Sequence, residues 1–418
     1  MVVIVGGGLS GLTAAVQLGR LGVKCVLLDD AQELGGRART DRQHGFDLNY
    51  GPHRLYEGGA AVIGLRTLGI PIDAAARGPN GGYAIWRGRK HTLPVGLCSL
   101  LTTDLFGPQA KREIARVMTA IADVDSRSLQ HVSIGAWAKM EIADEDVRQM
   151  VLAFVRYTTY CNDTDRFSAA AAVDQLQLSL RTRVLYVHNG WGSLIASLER
   201  AAKALGVLIA RGTRAHAIDI QDGRARAVLL SDHTRIPVHA VIVAVGPRQA
   251  ERILSGVDIR VPSASVRVAA LDVALERLPD RRAVFAIAID DAWCFSADST
   301  IARVAPGAGA VVHLAKCLPT GVNGSPTDED ELERAMDLLQ PGWRRMVVYR
   351  RFLPAIVVSH ALVAADAGGF DGRPRVTVAG LTNVFLAGDW IGSTGQLADA
   401  CVSSAIDAAK QAARVASP

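Results

Sequence analysis

The chain has 418 residues, 49% apolar and 21% charged, with 46 basic against 41 acidic side chains and a formal charge of +5. This balance excludes intrinsic disorder as the main state, and the length suits roughly two to three domains. The cations are dispersed, which argues against nucleic-acid binding. The six cysteines, Cys25, Cys98, Cys161, Cys294, Cys317 and Cys401, form no C-x-x-C pair and read as unpaired thiols of a reducing, cytoplasmic setting. No segment reaches the ~18 apolar residues of a membrane span, so none is expected, although association with a membrane surface stays open. The nearest segment, Phe352 to Ala365, carries Pro354, Ser359 and His360 and reads as a buried strand pair. With the first motif at residue 6, no secretory leader is expected. No metal-ligand spacing occurs, and no metal is expected.

Val2 to Val5 is a fully apolar, β-branched run and predicts a buried parallel strand. It enters Gly6-Gly7-Gly8-Leu9-Ser10-Gly11, after which Thr13 to Leu21 predicts a helix ended by Gly22. Val23 to Leu28 predicts a second strand, closing on Asp29-Asp30. This is the strand, G-x-G-x-x-G, helix, strand, acid order of a dinucleotide site. Gly6 allows the tight turn, Gly8 the approach of a pyrophosphate, and Gly11 the packing of helix on strand. The helix N-terminus offers unpaired amides and its positive end to phosphate, with Leu9 and Ser10 in the loop before it as candidate cofactor contacts. Asp29 is placed to accept from a ribose diol.

The next segment, Leu34-Gly35-Gly36-Arg37-Ala38-Arg39-Thr40, follows the acid after a short spacer. In order and spacing it resembles the flavin-dependent amine oxidase superfamily, which includes amine oxidases, protoporphyrinogen oxidases and phytoene desaturases. The resemblance implies non-covalent FAD, with Gly36 and Arg37 beside its pyrophosphate or flavin. It continues through Gly45-Phe46 to Gly51-Pro52-His53, most like the desaturase and protoporphyrinogen oxidase branch. There Gly51 and Pro52 would lie against the flavin, and His53 near its reacting edge.

Further along, Tyr83 to Trp86, a basic turn Arg87-Gly88-Arg89-Lys90 and Leu93-Pro94 follow a loop signal at Arg77 to Gly82. Pro108 to Ala122 and Ala143 to Tyr157 predict helices. Asn189-Gly190-Trp191-Gly192-Ser193 precedes a helix over Leu194 to Leu205, then a strand Val207 to Ala210. The resemblance places Ala215 on the adenine side. Gln221-Asp222-Gly223 predicts a hairpin turn, and Val241 to Val245 another buried strand. Segments near 265–275 and 309–315 predict strands. The last island is a strand from Asn383 to Ala387, then Gly388-Asp389-Trp390, then Gln396 and Leu397 opening a helix over Ala398 to Ala413. The resemblance gives Gly388 and Asp389 a contact to the cofactor, and the helix end at Gln396-Leu397 a contact to the flavin ring. Ala400 and Ala405 stand where the family usually has glycines.

The expected architecture is α/β: a Rossmann-type, glutathione reductase-like FAD domain from residues 1–75, 185–255 and 370–418, with an inserted α+β substrate domain from 76–184 and 256–369. The resemblance implies an FAD-dependent oxidoreductase that takes two electrons from a largely apolar small molecule by hydride transfer to flavin N5, with O2 or another acceptor. Alternatives are an amine or amino-acid oxidase releasing hydrogen peroxide, a non-redox isomerase on the same fold, or a silent flavin-binding partner. Candidates beside the flavin are His53, Trp191 and Trp390, while Arg156, Tyr157 and Tyr160 are candidate pocket residues.

Overall fold

A computed structural model describes residues 1–77 and 81–416. Residues 78–80 of the loop expected over Arg77 to Gly82 lie outside them.

Four short, buried, β-branched segments and one partly buried one build a five-stranded parallel sheet in the order Leu208–Ala210, Cys25–Leu28, Val2–Val5, Ala240–Val243, Val384–Leu386. Such runs need cover on both faces. The helices Leu9–Arg20 and Leu397–Ala416 pack together over the sheet. The antiparallel sheet Ala215–Gln221, Arg224–Leu230, Arg235–Pro237 packs beside strand Ala240–Val243. Its first turn is the expected one, with Asp222 and Gly223 both left-handed (φ 51° and 69°). Strand Val2–Val5 leads to a neighbour on either side, so the strand order reverses there. The crevice at such a reversal, beyond the carboxyl ends of the strands, is where open α/β sheets bind ligands.

The second large element is a seven-stranded sheet in the order Val347–Ser359, Val266–Leu275, Ala310–Cys317, Trp293–Ser296, Phe285–Ala288, Tyr83–Trp86, Arg89–Thr92. It is antiparallel except between Phe285–Ala288 and Tyr83–Trp86. The helix Pro326–Leu339 packs against three of its strands. The helices Pro108–Ile121, Ile134–Glu141, Glu145–Thr159 and Ala169–Arg181 share a separate core with it. The mixed α+β character expected of this part is observed.

Two local expectations are corrected. Phe352 to Ala365 is not a strand pair. It is the end of the single strand Val347–Ser359, followed by buried irregular chain over Ala361 to Ala365. This strand is a sheet edge, and Pro354 sits where the register with Val266–Leu275 slips between Leu353 and Ile356. An edge bulge needs no ladder donor from proline. The basic turn is confined to Arg87-Gly88 (φ 50° and 70°), because Arg89 and Lys90 belong to the returning strand. Helices also begin earlier than hydrophobic periodicity suggested: at Leu9, directly after Gly8, and at Trp191, directly after Gly190.

Candidate cofactor and substrate site

A cleft of about 660 Å³ opens at the strand-order reversal. Its walls include Gly6, Gly8, Leu9, Ser10, Asp29, Gly36, Arg37, Pro52, His53, Trp191, Ala215, Gly388, Asp389 and Leu397. Fourteen of the eighteen residues singled out from sequence thus meet in one place, although the chain brings them from positions 6 to 397. The other four, Gly11, Gly51, Gln396 and Trp390, lie outside the lining.

The glycines divide into two kinds. A Cβ on Gly6 would lie 2.6 Å from the Ala244 carbonyl oxygen, and one on Gly11 only 1.7 Å from the Gly6 oxygen. These two are glycine because protein occupies the space. A Cβ on Gly8 would meet no protein atom nearer than 3.9 Å, and one on Gly36 none nearer than 4.0 Å. Both border the cleft, so their bareness leaves a cradle open on the ligand side. The helix Leu9–Arg20 opens there without a side-chain cap or an acidic residue in its first turn. Its unpaired amides and positive dipole end suit a pyrophosphate. The residues present therefore fit a dinucleotide.

Asp29 has a second duty that the sequence did not show. Its carboxylate accepts the Gly7 amide (2.5 Å) and the Ala31 amide (2.8 Å), so it also holds the glycine loop. Gly51 is corrected in role: it is glycine for its left-handed backbone (φ 76°), and Ile356 and Ala270 lie against it rather than the cleft. Gln396 is likewise structural, its buried Nε2 donating to the Ala171 carbonyl (2.9 Å). Leu397 does line the cleft, in an unusual left-handed conformation (φ 52°) at the start of the last helix. Ala400 and Ala405 are fully buried and outside the lining, so the missing glycines do not narrow it.

Trp390 is also corrected. It is fully buried and its Nε1 donates to the Val245 carbonyl (3.2 Å), so it is a core residue that no substrate can reach. Trp390→Phe is expected to cost about 1 kcal/mol of stability through that hydrogen bond and to leave turnover unchanged. A selective fall in turnover would contradict this placement.

Arg37 and Asp389 reach the cleft as a pair. Arg37 donates to Asp389 (2.8 Å) and to the Val358 carbonyl (3.1 Å). Asp389 also accepts from the His360 backbone amide (2.9 Å), with the His360 ring 3.0 Å away. Burial opposes its charge, but Arg37 and His360 outweigh that and hold its carboxyl well below the usual range. His360 was missed from sequence. It carries no motif, and only the fold brings it to Asp389 and against Gly246.

His53 stands between two backbone carbonyls, with Nδ1 3.1 Å from Gly51 O and Nε2 3.1 Å from Arg37 O. Its ring meets Trp191 edge-on at 4.9 Å. Burial lowers its pKa below the ordinary histidine value, although both carbonyls favour the imidazolium. Trp191 is 5% exposed, and its Nε1 is buried without a hydrogen-bond partner.

The same cleft is lined, next to His53, by a tyrosine-rich chamber wall that includes Arg54, Tyr56, Tyr157 and Tyr160. The sequence had raised Tyr157 and Tyr160, and both line it. Arg156 does not: its guanidinium donates to the Ile289 carbonyl (2.6 Å). Arg54 carried no sequence signal beyond adjacency to Gly51-Pro52-His53. It donates to the Tyr186 and Tyr160 hydroxyls (both 3.1 Å) and stacks over the Tyr157 ring (5.2 Å). Its Nη2 is buried and unpartnered, and among the described residues no carboxylate lies within 4.0 Å of it.

Under the last helix, Asp399 is 8% exposed and accepts the Ala61 amide (2.7 Å). Burial pushes its carboxyl up to about 6. A folded pKa above the unfolded one means the charged form costs stability. The penalty is full above pH 6 and vanishes as pH falls towards the unfolded value of about 4. Asp399→Asn keeps an oxygen for Ala61. It is expected to be about 2 kcal/mol more stable than the parent at pH 8 and no more stable near pH 4, by urea unfolding. An equal difference at both pH values would refute it.

Residues 4–62 match the family model of an NAD(P)-binding Rossmann-like domain. The chain is 30% identical over 262 residues to AofH of Mycobacterium tuberculosis, which carries the designation flavin-containing monoamine oxidase; the match covers 59% of this chain and 57% of that protein. It is 24% identical over 284 residues to the hydroxyneurosporene desaturase of Rubrivivax gelatinosus, covering 58% and 52%. The chain thus spans little more than half the length of these relatives. Among solved structures, an oxidoreductase from Methanosarcina mazei shares the fold over 98% of this chain and 99% of its own, with a TM-score of 0.75 at 15% identity. In motif order, fold and these partial matches the chain is similar to the flavin-dependent amine oxidase superfamily.

Proposed function

We propose that the protein is an FAD-dependent oxidoreductase that removes two electrons from a small organic substrate. The observation that carries this reading is the continuity of the cleft, from the phosphate cradle at Gly8 and Gly36 into the chamber at Arg54 and Tyr157. In this reading Leu9 and Ser10 hold the pyrophosphate, and Asp29 and Ala215 hold the adenosine end. Gly388, Asp389 and the helix end at Leu397 hold the flavin end. FAD held there would supply a two-electron oxidant for removal of a hydride and a proton from the substrate, giving a C=C or C=N bond, with O2 or another acceptor as the final oxidant. Burial pushes the Cys401 thiol up to about 12, which keeps it protonated and supports non-covalent binding.

The chain's own contribution is orientation and desolvation. Ile356, Val357 and Val358 give the cleft an apolar wall. His53 is held between two backbone carbonyls, and burial works against its charged form. The division into a cofactor part (1–75, 185–255, 370–418) and a substrate part (76–184, 256–369) belongs to this proposal, as does a cytoplasmic setting. No helix among the described residues is long and apolar enough to cross a membrane.

The first reading is desaturation of a largely apolar compound. Arg54 favours the second, an amino-acid oxidase or a related enzyme of carboxylates. A buried guanidinium lacking a carboxylate attracts an anion and repels a free amine cation. The test is anaerobic flavin absorbance during addition of amino acids, apolar carboxylic acids, amines, a polyene and a porphyrinogen. Bleaching by carboxylates supports the second reading, and bleaching by the polyene or porphyrinogen supports the first. Bleaching by amines alone would remove the role given to Arg54. Product without bleaching would make the protein an isomerase.

A further inference from the structure

Four side chains form a polar row through the seven-stranded sheet. Arg351, Asp272, His313 and Ser296 stand opposite one another in register on four adjacent strands. Asp272 and Ser296 are fully buried and His313 is 2% exposed. The neighbouring positions Leu271, Val273, Val312 and Leu314 are apolar and fully buried, as a sheet core requires. A row of charges in that setting costs stability unless every member is paired. Here they are paired. His313 Nδ1 lies 2.6 Å from Asp272 Oδ1 and its Nε2 3.8 Å from Asp298 Oδ2. Arg351 donates to Asp272 (2.7 Å), and the Ser296 hydroxyl to Asp298 (2.5 Å).

The row lies behind the wall of the candidate site. Asp272 Oδ2 lies 3.4 Å from the Gly51 amide, where the wall that carries His53 and Arg54 begins. Arg351 extends from the row to Asp41 (2.5 Å) and to the Asn49 carbonyl (2.6 Å), tying the Thr40 to Asn49 hairpin to the sheet. Beyond Ser296, Asp298 adds a longer-range charge that favours the Arg54 guanidinium, behind the tyrosines that surround it. Three cations (Arg351, His313, Arg54) therefore balance three carboxylates (Asp41, Asp272, Asp298) in number, with Arg351 and His313 in direct ion pairs. His53 is the other ionisable group that feels His313.

We propose that His313 is a positioning residue of the substrate chamber: as an imidazolium gripped between Asp272 and Asp298, it satisfies Asp298 from inside the sheet and so leaves Arg54 free to meet a substrate anion. A neutral His313 would leave one buried carboxylate uncompensated, and Asp298 would draw Arg54 inward. Burial works against the charge on His313, but Asp272 and Asp298 outweigh it and raise its pKa. The consequence for substrate rests on the Arg54 reading above, whereas the state of His313 does not.

Two measurements separate these. Long-range proton–nitrogen correlation of histidine-labelled protein, with His313 assigned through His313→Gln, is expected to show both ring nitrogens protonated at pH 7.5. A neutral tautomer overturns the proposal. Calorimetric binding of benzoate to the cofactor-loaded protein is expected to weaken about tenfold in His313→Gln and to recover in His313→Gln/Asp298→Asn, where the unpaired carboxylate is gone. A merely structural loss would deepen in the double variant, and that result overturns the proposal. If the parent protein binds no benzoate, the Arg54 reading falls, and the nitrogen spectrum alone decides the state of His313.

Discussion

Gly11→Ala is expected to yield a protein without flavin and with a markedly lower melting temperature, while Gly8→Ala yields a stable apoprotein that has lost only its affinity for the cofactor. The contrast follows from what each added methyl would touch. At Gly11 it would sit 1.7 Å from the Gly6 carbonyl oxygen, a backbone atom fixed by the turn into the helix. Helix and strand must separate, at a cost of about 3 kcal/mol or more. At Gly8 the backbone is ordinary (φ −76°, ψ −171°) and the nearest protein atom is 3.9 Å away. Alanine there should change apoprotein stability by less than about 0.5 kcal/mol. The methyl would instead occupy the cradle between Gly8 and Gly36, and FAD affinity should fall at least about tenfold, the effect of roughly 1.4 kcal/mol. Flavin-to-protein absorbance, apoprotein melting and FAD titration read the three quantities separately. Normal FAD binding by Gly8→Ala would mean that the phosphates lie elsewhere.

Arg54→Met should lower kcat/KM for a carboxylate substrate about a hundredfold, chiefly through KM, and leave flavin content unchanged. A hydrogen bond to a charged group contributes about 1.5–3 kcal/mol, and a carboxylate in this chamber would lose such contacts together with the ion attraction. Methionine fills comparable volume, and the Tyr160 hydroxyl keeps its bond to the Pro52 carbonyl (3.3 Å), so the chamber wall should stand. Arg54→Lys should recover little, because a point charge cannot reach both tyrosine hydroxyls and a ligand from one stem. Steady-state kinetics with whichever carboxylate bleaches the flavin measures the effect. An unchanged KM would move the anion anchor away from Arg54.

Much of the site was legible because its residues act through local backbone geometry. A tight glycine turn between strand and helix leaves a mark within ten residues, so Gly6, Gly8, Leu9 and Ser10 could be read as a phosphate cradle. The same holds for the bare Gly36 before Arg37 and for the Gly388-Asp389 turn. The parallel strands were legible as short apolar runs because both their faces are covered. Residues that act across the fold leave no such mark. His360 reaches Asp389 from 29 residues away, and Arg351 reaches Asp41 from 310. Trp390 and Gln396 looked functional because each adjoins a motif, yet adjacency along the chain does not fix which way a side chain points.

The sequence by itself determined the dinucleotide cradle and the parallel sheet behind it, since each depends on which residues are neighbours in the chain. Tertiary structure alone decided which candidates face the cleft, that Asp29 also braces the glycine loop, and that Arg54 stands among tyrosines with no carboxylate of the described residues in contact. It alone aligned Arg351, Asp272, His313 and Ser296 in one row. Register between strands 40 or more residues apart is set by the packing of whole sheets, and a lone aspartate or histidine in an apolar run carries no trace of the partner it will meet.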